Sequence, residues 1–279
     1  MKKLARLIIL LSAGAIWCVA VHAQEKSPDK VPFTGKYYPG TSSQNNPPVL
    51  VLGGSEGGIP TKFADAVVES GHPVLALGYF KADGLPDELE LIPLEYFSDA
   101  MSWIQQRSNN ADNVIIVGWS KGAELALLLA SKHSEVSRVV AIAPSNVVWA
   151  GIMNDWTAVP DSSWSEGGKP LTHIPFRPSG KINGLLDLYS QSLENREDGG
   201  EADIAVENIQ AAVTLMTGGM DDIWPSGDMA SQVCLRMNKV REGSCEHLHY
   251  EGLGHLLNYR MLDDADALHN VFLNKVTGN

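Results

Sequence analysis

Short apolar runs rich in β-branched residues recur at Val49 to Leu52, Val74 to Tyr79, Val114 to Val117, Val139 to Ala143 and Val213 to Met216, with helically patterned stretches between them. Lys62 to Glu69, Glu95 to Gln106 and Gly122 to Lys132 carry the helical spacing, as in Ala123, Leu125-Ala126 and Leu128-Leu129-Ala130. Runs this short and apolar throughout read as strands buried on both faces, the condition of a parallel sheet. Their alternation with helices predicts right-handed βαβ units. The expected architecture is therefore α/β: a mostly parallel central sheet with helices on both faces.

The ends and interruptions of this pattern set the domain plan. Residues 1 to 23 read as a signal peptide: Lys2, Lys3 and Arg6 precede an apolar stretch from Leu7 to Trp17, and Val21-His22-Ala23 supplies small residues around a cleavable position. The apolar stretch is shorter than the ~20 residues that span a bilayer, so no stable membrane anchor is expected after cleavage. Residues 24 to 46 are polar and rich in turn formers and read as an N-terminal arm, with the folded domain covering 47 to 279. Within it, about 149 to 203 breaks the rhythm with Trp149, Trp156, Trp164, several prolines and Glu166-Gly167-Gly168, the pattern of an insertion lying over the sheet like a lid.

Charge narrows the partners. The chain carries 21 Lys and Arg against 33 Asp and Glu, a formal charge of -12, and loss of the three basic residues of the leader would bring it to -15. Such a surface repels polyanions, and no basic patch interleaved with aromatics offsets it, so nucleic acid is not an expected partner. In the exported, periplasmic or secreted location that a leader implies, Cys234 and Cys245 are a candidate disulfide.

The chemistry concentrates in Gly118-Trp119-Ser120-Lys121-Gly122, a G-x-S-x-G pentapeptide directly after one apolar strand and directly before a helical pattern. In that context the glycines permit a tight turn that lifts the serine hydroxyl above the sheet. A serine hydroxyl needs a base, and the base an orienting carboxylate. His255 follows a strand-like run, His247 to Glu251, through Gly252-Leu253-Gly254; His72 sits in a helix-to-strand turn, His133 near a helix end, and His173 and His269 on polar stretches where solvation is the default. His247 and His249 alternate on one strand, but no third ligand accompanies them, so neither a metal nor any other cofactor is expected. Val213 to Met216 ends in a loop carrying Asp221 and Asp222; Asp221 is preferred as the orienting acid, with Asp222 left to cap the following helix. Oxyanion donors are expected from the Lys121 N–H and from Gly54 or Ser55 in Gly53 to Gly58, the glycine-rich loop after Val49 to Leu52. The order Ser, Asp, His is that of the α/β-hydrolase fold.

Several stretches together resemble the C-terminal catalytic domain of the acyl-CoA thioesterase and bile acid-CoA:amino acid N-acyltransferase family. They are Gly53 to Gly58, Ala76 to Phe80, Leu85-Pro86 through Pro93-Leu94-Glu95-Tyr96-Phe97, Trp119 to Glu124, Ile204 to Ile209, Asp221 to Ser226, and Gly254-His255. The resemblance implies a dienelactone hydrolase-like α/β-hydrolase in which Ser120 is nucleophile, Asp221 acid and His255 base. Amino acid-conjugating members carry cysteine at the nucleophile position, so Ser120 implies transfer of the acyl group to water. The expected activity is hydrolysis of a small-molecule acyl ester or thioester through an acyl-enzyme. The alternatives are a non-catalytic module binding a hydrophobic ligand, or an acyltransferase or peptidase on the same fold.

Overall fold

The computed structural model describes residues 31–41, 46–108, 110, 112–155 and 157–278; the leader at 1 to 23 and Trp156 lie outside them. In chain order the elements are β1 (Gly35–Tyr38), β2 (Val49–Leu52), α1 (Thr61–Val68), β3 (Val74–Leu77), β4 (Ile92–Pro93), α2 (Leu94–Gln105), β5 (Val114–Trp119), α3 (Lys121–Lys132), β6 (Val136–Ile142), β7 (Trp164–Glu166), β8 (Lys169–Pro170), α4 (Leu185–Glu194), β9 (Ala212–Gly218), α5 (Ser226–Val240), β10 (Cys245–Tyr250) and α6 (Ala267–Thr277).

Among the described residues, seven strands form the central sheet in the order β1-β3-β2-β5-β6-β9-β10, parallel except for β1, which runs antiparallel to β3. Strand alternation sorts the core into two layers. Leu50, Leu52, Leu75, Leu77 and Ile116 face α2, α3 and α5, contributing to one cluster with Phe97, Met101, Leu125, Leu129 and Val233. Val49, Val51, Val74, Ala76 and Val117 face the other way, onto Phe63 and Val67 of α1 and Phe272 and Val276 of α6. Both faces are covered, as the unbroken apolar runs require, and this is the α/β-hydrolase architecture.

The polar arm is not only a lead-in. Gly35 to Tyr38 pairs with Val74 to Leu77 at the sheet edge, and Val31, Phe33 and Tyr37 pack on the core. An edge strand buries one face and one ladder, so its residues keep the polar look of a loop.

The chain leaves β2 for β3 on one side and returns to place β5 on the other, which makes the β2/β5 boundary a topological switch point. Loops at the carboxyl ends of the two strands diverge there and open a crevice. The stretch from 149 to 203 carries β7, β8 and α4. It is tied to the body through β4, which pairs with β7, and through bridges Leu89 to Ile152 and Val147 to Asp203. Trp149 and Trp164 are fully buried within it. Cys234 of α5 and Cys245 of β10 are joined as a disulfide. Among the described residues, no helix is long and apolar enough to cross a membrane.

Candidate active site

Ser120 sits between β5 and α3 with φ 52° and ψ -120°, a conformation costing a non-glycine residue on the order of 1–3 kcal/mol. The flanking glycines make it attainable. A β-carbon on Gly118 would stand 2.2 Å from the Gly122 carbonyl oxygen, and one on Gly122 would stand 2.3 Å from that of Gly53. The turn therefore closes only with hydrogen at both positions, and it presses the start of α3 against the loop after β2.

His255 and Asp221 reach this serine from the carboxyl ends of β10 and β9. His255 Nε2 lies 2.9 Å from Ser120 Oγ, and its Nδ1 lies 2.8 Å from each Asp221 carboxylate oxygen. The side chains of Ser120, Asp221 and His255 are largely buried. A carboxylate only accepts, so Nδ1 carries the ring proton and Nε2 accepts from the serine hydroxyl. Burial alone would push the Asp221 carboxyl upward, but the bond and charge of His255, the Ser226 hydroxyl and the Ile223 N–H together hold it below the ordinary carboxylate range. Asp221 also accepts from the Trp224 N–H.

The chain fixes His255 from behind. Asn258 Oδ1 accepts the Gly254 N–H at 3.0 Å, and Leu257, Asn258 and Tyr259 turn the backbone through three left-handed residues. Trp224 sets its ring against the imidazole at 5.5 Å between centroids.

The expected oxyanion donors occupy different situations. Lys121 opens α3, so its N–H has no carbonyl one turn back to bond. Gly54 lies against Ser120, since a β-carbon there would come within 3.0 Å of Ser120 Cβ. Its N–H, however, donates to Glu56 Oε1 at 3.0 Å, an oxygen that also accepts from Trp119 Nε1 at 2.7 Å. Ser55 is exposed beside it. Tyr79 braces the same loop by donating its hydroxyl to the Gly53 carbonyl at 2.6 Å.

Other expectations change. Asp222 does not cap α5: Pro225 holds the cap position without a side-chain bond, and Asp222 is exposed. His269 is not solvated but 2% exposed, bonded to the Met261 carbonyl and to Glu69, because the polar residues around it lie on the outer side of α6. His247 and His249 both hydrogen-bond the Thr217 hydroxyl, at 2.7 and 2.8 Å. Two hollows, of about 220 and 480 Å³, lie around Arg177, Asn195, Arg196 and Glu197, remote in lining from the serine. In their linings Arg177 pairs with Glu197 and Arg196 with Asp198.

Sequence reasoning gave no role to three features: Ser226 on Asp221, Glu56 on the Gly54 amide and Trp119, and the ion pair of Lys121 and Glu124. Ser226 had a signal in its place five residues after Asp221 at a helix start. The other two depend on which distant segments face them.

The family model described as the C terminal of BAAT and acyl-CoA thioester hydrolase matches residues 92–268, more than half of the chain. The chain belongs to this family. Among its curated relatives, mouse acyl-coenzyme A amino acid N-acyltransferase 1 is 26% identical over 76% of this chain and 48% of its own length. Human mitochondrial acyl-coenzyme A thioesterase 2 is 24% identical over 76% of this chain and 42% of its own. This family member thus spans about half the length of the relatives it matches. In fold it is similar to an esterase of Pyrococcus furiosus, with TM-score 0.54 and 13% identity, covering 88% of this chain and 94% of that one.

Proposed function

We propose that this chain is an exported serine hydrolase that cleaves a small acyl ester or thioester through an acyl-enzyme. The observation carrying this reading is the unbroken hydrogen-bonded line from Ser120 Oγ through His255 to Asp221. His255 Nε2 takes the hydroxyl proton as Ser120 Oγ bonds to the acyl carbon, and the carbonyl oxygen becomes an oxyanion facing the Lys121 N–H. Gly54 or Ser55 completes the oxyanion site; Gly54 serves there only if its amide leaves Glu56. The imidazolium, held by Asp221, then gives its proton to the departing alkoxide or thiolate. Water repeats the sequence on the acyl-enzyme, its proton passing to His255 and on to Ser120, and releases the acid.

Relatives named as acyl-coenzyme A thioesterases favour a thioester, and the esterase of similar fold is compatible with an oxygen ester. A leader at residues 1 to 23 would place the protein outside the cytoplasm, where coenzyme A is scarce, and there an oxygen ester is the expected natural bond. The deciding experiment is steady-state turnover by the leader-free protein of matched p-nitrophenyl esters and acyl-coenzyme A esters of short, medium and long chain, with Ser120→Ala alongside. Turnover should fall by about 10⁴-fold or more in the folded variant. Equal turnover by variant and parent would sink the reading.

A further inference from the structure

Directly after the nucleophile, the Lys121 ammonium and the Glu124 carboxylate form an ion pair, 2.6 Å apart, with side chains 1% and 0% exposed. Burial draws the lysine down and the glutamic acid up, and each resists the other's shift. Such a pair is a poor device for stability alone, because removing two charges from water offsets most of their attraction, and a matched apolar pair commonly does as well. This pair does something an apolar pair cannot. The second carboxylate oxygen, Glu124 Oε1, accepts two N–H groups from the insertion: the Trp164 indole at 2.7 Å and the Trp149 backbone amide at 3.2 Å. Tyr79, whose hydroxyl holds the Gly53 carbonyl, stacks a tilted ring on Trp164 at 5.8 Å. One buried carboxylate therefore meets the start of α3, two separate points of the insertion and, through Tyr79, the loop after β2.

We propose that Glu124 is a positioning residue for the hydrolytic site, holding Trp149 and Trp164 of the insertion against the serine turn while its bond to Lys121 fixes the residue whose N–H faces the oxyanion. The proposal rests on the serine hydrolase reading above. It goes further by assigning the insertion a fixed attachment beneath the reacting atoms and a part in setting their geometry.

The test replaces the pair without leaving a lone buried charge. Lys121→Met combined with Glu124→Leu keeps an apolar core and removes the acceptor for both insertion N–H groups. Three readouts are taken with the parent: melting temperature, the rate at which a fluorophosphonate labels Ser120, and hydrogen exchange of peptides covering 147–165 against peptides of β2 and β5. A melting temperature near the parent's, labelling slower by about 10- to 100-fold and faster exchange confined to 147–165 are expected, since small misplacements of supporting groups cost that much. Unchanged labelling and unchanged exchange would overturn the proposal and leave the pair a core contact. Should the double variant fail to fold, Trp164→Phe, which removes one N–H donor, decides by the same two readouts. A parent that labels but turns over no ester or thioester sinks the substrate reading while labelling still tests this one; a parent that does not label leaves exchange at 147–165 to decide.

Discussion

Asp221 and Asp222 stand side by side in the loop after β9, yet only one is built into the site. The Asp221 carboxylate is buried and receives N–H or O–H groups from His255, Ser226, Ile223 and Trp224, whereas Asp222 lies exposed. Asparagine at 221 presents an amide N–H toward His255 and favours the wrong tautomer. Asp221→Asn should therefore cost about 10⁴-fold in kcat at little cost in folding, as the corresponding change does in serine proteases. Asp222→Asn should leave kcat within about twofold, since exposed positions away from such features tolerate change. Comparable losses in both variants, measured with one activated ester, would refute the assignment. The three members of the line were legible in the sequence because each sits in a local pattern: a glycine-flanked serine, an acid past an apolar strand, a histidine past a glycine loop. Glu56 and Glu124 were not, because their partners, Trp119, Trp149 and Trp164, lie 63, 25 and 40 residues away.

Among the elements, the buried parallel strands were the most readable, since burial on both faces demands an uninterrupted apolar run. The short β4, β7 and β8 carry no period of their own and exist through each other. β1 was hidden by its half-exposed edge position. The pairing of α5 with β10 depends on a crosslink as well as on packing. Cys234 and Cys245, with Cα atoms 5.0 Å apart and eleven positions apart in sequence, tie the helix that supplies Ser226 to the strand that leads to His255. Closing a loop of this size removes about 3 kcal/mol of freedom from the unfolded chain, and reduction should lower the melting temperature by about 6 to 12 °C for a domain of this length. Calorimetry with and without reductant measures it, and an unshifted transition would show that the crosslink contributes nothing to stability.

For the whole molecule, acid is the condition to watch. Arg196 beside Asp198, Arg236 beside Glu207, and His255 beside Asp221 with other donors hold these carboxyls below their ordinary values. A carboxyl that ionises more readily folded than unfolded contributes stability that is complete above its unfolded value, about 3.9 to 4.3, and is lost as pH falls toward the folded value. The formal charge of -12 works in the other direction near neutrality, since self-repulsion eases as pH drops. The melting temperature should thus change little from pH 7 to about 5, where easing self-repulsion is opposed by protonation of His72 and His247, both held below the ordinary histidine value by burial, and then fall steeply below about 4. A transition that keeps climbing to pH 3 would contradict these pairings.

The position of the histidine has a consequence for a shortened chain. Ser120 and His255 are 135 residues apart, and the histidine follows β10, whose sheet partner among the described residues is β9. Without that strand and the loop after it the Ser120 hydroxyl has no imidazole beside it. On the serine hydrolase reading, a chain clipped ahead of β10 would lack His255 and carry Ser120 as an unactivated alcohol. On that reading, reactivity arrives only with β10 and the loop after it that carries His255.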